Sequence, residues 1–243
     1  MLEPQSFRTS AKDDCCCGPS KGHTPERAAA LNVLDSRAIG RTSCFAQRFM
    51  RPGTYAYNVM VGRGGAINTA YPFAILVEDG EKGEMAQHNV VVSQSETGLT
   101  VDEPKLRIRT GDLVLWSGNG LSVPFAVAGE REFLSSERMV NECGYSHAFG
   151  TEGEYRWRDA HGSGLGGVVR VRNPKAGDAK ALAKWRESLA EGSIVMIQDG
   201  EVHTPELEIM TGQTVFFAIV TSPGISVTDE WLLDWKADAS KAA

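Results

Sequence analysis

Two patterns recur in this chain at an almost fixed distance, and together they limit the fold more than any single motif does. Pro104-Lys-Leu106-Arg-Ile108-Arg-Thr110-Gly111-Asp112-Leu-Val114-Leu-Trp116 returns between Pro205 and Phe217 as P-E-L-E-I-M-T-G-Q-T-V-F-F, 101 residues on. The second pattern, aromatic-x3-Phe-x3-Gly-x-Tyr-x-aromatic, passes through Phe45, Phe49, Gly53, Tyr55 and Tyr57. It comes back 100 residues later through Tyr145, Phe149, Gly153, Tyr155 and Trp157. Apolar residues alternate in both, which is the signature of strands with one buried face. The chain therefore holds two copies of one β unit.

The order of the patterns suggests a domain plan. The stretch 86–174 carries the Thr-Gly pattern followed by the aromatic pattern, whereas 41–85 carries only the aromatic pattern and 193–243 only the Thr-Gly one. Either terminal part alone would expose a core face and open strand edges. The expectation is that 41–85 and 193–243 pair as one circularly permuted domain beside an intact one at 86–174. Pairing of the ends between two chains, as a swapped dimer, is the alternative.

The remaining segments connect or flank these units. Residues 1–40 read as a polar tail containing Cys15, Cys16 and Cys17, followed by a short helix that Thr24 caps and Pro25 opens. Residues 175–192 read as a linker helix over 178–191. Asp178 is its N-cap, Gly192 its stop, and Leu182, Trp185 and Leu189 form an apolar stripe expected to bridge the domains.

Composition removes several classes of function. A formal charge of -6 with no basic stripe argues against a nucleic-acid surface. The N-terminal stretch has no apolar signal core and no run reaches spanning length, so the expectation is a cytoplasmic protein with no membrane contact. Five cysteines, three of them adjacent, fit a reducing compartment better than a disulfide framework. The strings Gly162-Ser-Gly164-Leu-Gly166-Gly167 and Gly62-Arg-Gly64-Gly65 do not open a helix after a buried strand, so they are not dinucleotide loops.

The stretch 86–174 resembles the cupredoxin family, the Greek-key β-sandwiches of plastocyanin-like and pseudoazurin-like proteins. The residues that carry the likeness are P-x-L-x-I-x-T-G-D-x-V-x-W from Pro104, then Ser122-Val123-Pro124 with Val127, then Gly153-Glu-Tyr155-Arg-Trp157, and the closing G-x-G-G-V-V-R-V. The resemblance implies a type 1 copper on two His, one Cys and a weak Met. At the implied positions stand Phe125, Asp159, His161 (one residue short of the usual spacing) and Leu165. In the other copy Ile225, Val59 and Val61 stand there. The copper set is missing from both, so the resemblance implies the fold without blue copper electron transfer.

Two groups of side chains could still hold a metal. His147, Asp159 and His161 could form a two-His, one-carboxylate set; the plainer reading is a loop-capping Asp159 with surface histidines. Cys15, Cys16 and Cys17, with His23 nearby, could take copper or zinc, although adjacent cysteines chelate poorly; the plainer reading is a redox-sensitive tail. Cys44 and Cys143, near-equivalents across the repeat, read as small strand-edge fillers.

The sequence thus predicts an all-β protein of two cupredoxin-like Greek-key sandwiches, one of them permuted, with short helices. The function it suggests is a non-catalytic accessory or scaffold subunit with a protein partner, capable of forming a homo-oligomer and without a cofactor. The alternatives are a cytoplasmic copper- or zinc-handling protein using Cys15 to Cys17, and a non-blue metalloenzyme centred on Asp159 and His161.

Overall fold

The computed structural model describes residues 32–62, 70–80, 85–96 and 98–234. The described residues are all-β apart from short helical segments. Its first half holds β1 (Ser43–Arg48), β2 (Gly53–Val61), β3 (Phe73–Glu78), β4 (Gln87–Ser95), β5 (Gly98–Val101), β6 (Lys105–Arg109), β7 (Leu113–Gly118) and β8 (Phe125–Gly129). The second half holds β9 (Met139–Ala148), β10 (Gly153–Arg158), β11 (Gly166–Arg172), α1 (Ala179–Ser188) and β12 (Ser193–Gln198). Its last strands are β13 (Glu201–Val202), β14 (Glu206–Met210), β15 (Thr214–Ile225) and β16 (Thr228–Asp229).

Alternation sets the layers. In β3, Phe73, Ile75 and Val77 turn inward, and in β6 Leu106 and Ile108 do, leaving the charged residues outside. One eight-stranded sheet runs β13-β12-β15-β9-β1-β7-β4-β5, and two four-stranded sheets run β14-β11-β10-β16 and β6-β3-β2-β8. Tyr57 of β2 meets Trp116 of β7 edge-on at 5.5 Å, and Trp157 of β10 meets Phe217 of β15 likewise at 5.4 Å. Each small sheet thus covers one half of the large one, in a sandwich-like arrangement with a continuous core. The recurrent Thr-Gly is the turn before β7 and β15, where Gly111 and Gly212 hold φ of +96° and +91°, a region other residues enter at a cost.

The strands do not pair as the domain expectation had it. β2 and β3 of 41–85 pair with β8 and β6, and none of β1 to β3 pairs with β12 to β16. β11 of 86–174 pairs with β14, not β6. The two repeat units are consecutive, 43–129 and 139–229, and neither is permuted from the chain ends. Four alternating patterns can be cut into pairs in two ways, and the strands take the cut that leaves no half-sandwich at either end. That cut also gives β6 the partner nearer in sequence, at the lower loop-closure cost.

The units meet at the middle of the large sheet. β1 and β9 are antiparallel, with Ser43 opposite His147, Phe45 opposite Tyr145 and Gln47 opposite Cys143. Residues 100 apart are equivalent in the repeat, so this register is symmetric about the Phe45–Tyr145 pair. A local two-fold axis passes there and relates one half to the other.

Among the other expected elements, α1 is capped as predicted, Asp178 accepting from the N–H groups of Lys180 and Ala181. It does not bridge the halves: Trp185 Nε1 donates to Thr211 O at 2.7 Å, within the second unit. The helix expected from Thr24 lies mostly outside the described residues. No helix among those described is long and apolar enough to cross a membrane.

Candidate functional site

Asp159 follows the last residue of β10, at the end of the second unit where the sequence concentrates polar groups. One carboxylate oxygen accepts the N–H groups of His161 at 3.1 Å and Ser226 at 2.9 Å, and the other accepts that of Ser163 at 2.9 Å. Burial acts to raise the carboxyl's pKa, and these three backbone donors outweigh it, leaving the pKa lowered. Ser226 Oγ in turn accepts the Ala160 N–H at 2.9 Å. Asp159 is thus a loop cap, and its lone pairs are largely taken. His161 Nε2 lies 2.8 Å from Glu137 O.

His147 stands apart from that loop. On β9 it shares the inward face with Tyr145 and Phe149, and it is 3 % exposed. This corrects the expectation of a surface histidine: positions 145, 147 and 149 alternate onto one face. Its Nδ1 lies 2.8 Å from Ser43 Oγ, and Phe149 packs edge-on against the ring at 4.7 Å. Burial pulls its pKa down to about 4, so the ring is neutral near pH 7.

A buried polar chain links the two places. Ser43 Oγ lies 2.9 Å from Tyr145 Oη, which accepts the Asp35 N–H at 3.2 Å. The fully buried Asp35 carboxylate takes Arg37 Nε at 2.9 Å and a second guanidinium N–H at 3.1 Å, and Thr228 Oγ1 lies 3.4 Å away. Thr228 Oγ1 is 3.0 Å from Ser226 Oγ, beside Asp159. Charge-assisted bonds of this kind are what allow a carboxylate to sit out of water. Sequence reasoning missed Asp35, Arg37, Ser43, Thr228 and Ser226. The signal that could have found the strap is Leu34-x-Ser36 against Leu134-x-Ser136, a further match at the same offset.

Those two short segments are crossed straps. Ser36 N–H donates to Val227 O at 2.9 Å and Val227 N–H to Ser36 Oγ at 3.1 Å, so a segment before the first unit closes the end of the second. Ser136 N–H donates to Val127 O and Val127 N–H to Ser136 Oγ, both at 3.0 Å, so the linker before the second unit closes the first. Behind the straps, Phe125 and Ile225 are fully buried and Val59 nearly so. These are positions the sequence resemblance assigns to copper ligands, and apolar side chains fill them.

The two ends differ in polarity. Asp35, His147, Asp159, Ser226 and Thr228 in the second match Ser135, Gln47, Val59, Ala126 and Ala128 in the first. Among the described residues no three His, Cys, Asp or Glu side chains stand together as a metal-holding group. Cys15, Cys16 and Cys17 lie outside the described residues. Cys44, second in β1, and Cys143, inside β9, are free thiols, and burial raises both, Cys143 to about 12. Comparison of the chain with family models, curated proteins and solved structures finds no match.

Proposed function

We propose that the chain is a non-catalytic accessory or scaffold protein, built on two copper-free cupredoxin-like Greek-key sandwiches and acting in the cytoplasm through contact with another protein. The observation that supports this reading is how the polar groups near Asp159 are used. Asp159 spends its oxygens on three backbone N–H groups, and Asp35 spends its own on Arg37 beside the strap. Groups committed in this way hold a shape and have little capacity left for a metal or a substrate.

The test uses untagged full-length protein with Cys15→Ser, Cys16→Ser and Cys17→Ser, purified without chelators. Elemental analysis is expected to find no stoichiometric metal, and native isolation a protein partner at fixed ratio. Stoichiometric metal in that variant, or a specific turnover by the purified protein, overturns the proposal. The adjacent cysteines, with His23 close by, favour a second reading, copper or zinc handling by the N-terminal segment. Its expected outcome is wild-type protein that carries such a metal and loses it in the same triple variant.

A further inference from the structure

Each four-stranded sheet ends in an edge strand, β6 in the first half and β14 in the second. The opposite edges, β8 and β16, lie toward the middle, where the straps cross. β6 and β14 are therefore at the two far ends of the molecule. They are equivalent in the repeat, and the two-fold axis that sets β1 antiparallel to β9 sets them antiparallel as well. A second copy moved along the long direction of the sheets would bring its β14 beside β6 in antiparallel orientation.

The free backbone groups on the two edges match. Ala74 N–H donates to Pro104 O and Thr110 N–H to Glu78 O, which brackets a parallel ladder in which Leu106 and Ile108 bond to β3. Lys105 and Arg107 then turn their N–H and C=O outward. Val168 N–H to Pro205 O and Thr211 N–H to Arg172 O bracket the same ladder on β14, turning Glu206 and Glu208 outward. The next outward N–H on each strand is already taken, that of Arg109 by Asp112 and that of Met210 by Gln213. Among the described residues, each edge is left with two open residues.

The charges on those residues are opposite. The residues with open backbone groups are Lys105 and Arg107 on β6 and Glu206 and Glu208 on β14; all four side chains are exposed, with Arg107 reaching Glu78 and Glu206 reaching Arg170 on the neighbouring strands. Charged edge residues commonly keep strands apart. Here they keep only like edges apart: β6 against β6 would face cation with cation, and β14 against β14 carboxylate with carboxylate. β6 against β14 faces cation with carboxylate. One antiparallel register sets Lys105 opposite Glu208 and Arg107 opposite Glu206, pairs all the open N–H and C=O groups, and places Leu106 against Leu207 on the core side.

We propose that β6 of one molecule pairs with β14 of a second copy, so that the chain associates head to tail. The contact is heterologous and leaves an open edge at each end, so it grows into rows rather than closing as a dimer. The proposal holds whichever protein the chain serves.

Sedimentation and light scattering on the full chain at low salt test it. The mass is expected to rise with concentration past that of a dimer and to fall back as salt is added. Arg107→Glu and Glu206→Arg should each remain monomeric. An equimolar mixture of the two should grow again as alternating rows, because the two changed edges match each other as the two unchanged ones do, and the chain carrying both changes should grow likewise. Zero-length carbodiimide coupling of wild type should yield an intermolecular Lys105–Glu208 link. Wild type that stays monomeric to its solubility limit, single variants that grow like wild type, or a mixture that fails to grow each overturns the proposal. Unchanged thermal melts check the fold, and Lys105→Glu with Glu208→Lys provides a second pair for the same experiment.

Discussion

His147 and Gln47 occupy equivalent places on either side of the local two-fold axis, and only one of them titrates. His147 faces Ser43, Tyr145 and Phe149, and beyond Tyr145 the paired Asp35 carboxylate. Its folded pKa of about 4 lies below the ordinary value near 6.5. The unfolded chain therefore binds the proton first on acidification. Stability is full above the unfolded value and falls between about pH 6.5 and 4, by about 3 kcal/mol in all. His147→Gln, which copies the other half, is expected to flatten that window in urea midpoints measured at pH 7 and 4.5; an unchanged slope would refute the assignment. Asp159 contributes at lower pH, since its carboxyl is held below the usual range and its stabilisation is lost as pH falls through the lowered value. Asp159→Ala leaves three backbone donors without their acceptor and should cost about 1–3 kcal/mol in a denaturant titration near neutral pH. The loop-capping role was legible in the sequence, from a carboxylate beside Gly162 and Gly164. The burial of His147 was not, because that depends on β1 lying alongside β9.

The straps are the elements least visible beforehand, since two matching residues in each carry no periodicity. Their bonds are nonetheless specific. Ser36→Ala and Ser136→Ala each remove the acceptor of one buried valine N–H and are expected to destabilise by about 1–3 kcal/mol. The two sites share no partner, so the double variant should lose the sum of the single losses within a few tenths of a kcal/mol. A double variant that loses much less than the sum would mean that the straps do not act independently on the two ends. The helix and most strands were readable because capping and alternation are local signals. What α1 docks on was not: an apolar stripe says that a face is covered, whereas Trp185 reaching Thr211 O says by what.

At the scale of the molecule, the repeat established that there are two units, and its phase left open where one ends. Loop closure and edge exclusion resolve the phase in favour of consecutive units, and β1 against β9 then joins them through one sheet. That junction predicts a single cooperative unit despite two repeats. Amides of β1 to β3 and of β9 to β11 are expected to share one highest free energy of opening in native-state hydrogen exchange. Two separated levels in the wild type would show that the halves unfold on their own. Gly144 is the place to cut the coupling. It pairs with Ala46 on one side and Ala218 on the other, and an added Cβ would overlap the Phe216 ring and stand 2.9 Å from Phe217 O. A neighbouring ring can turn away, but the backbone oxygen cannot move without shifting β15 against β9. Gly144→Val should therefore cost about 1–3 kcal/mol or more, concentrated in the second half. The levels of β1 to β3 and β9 to β11 should then separate, with the first half retaining the higher protection.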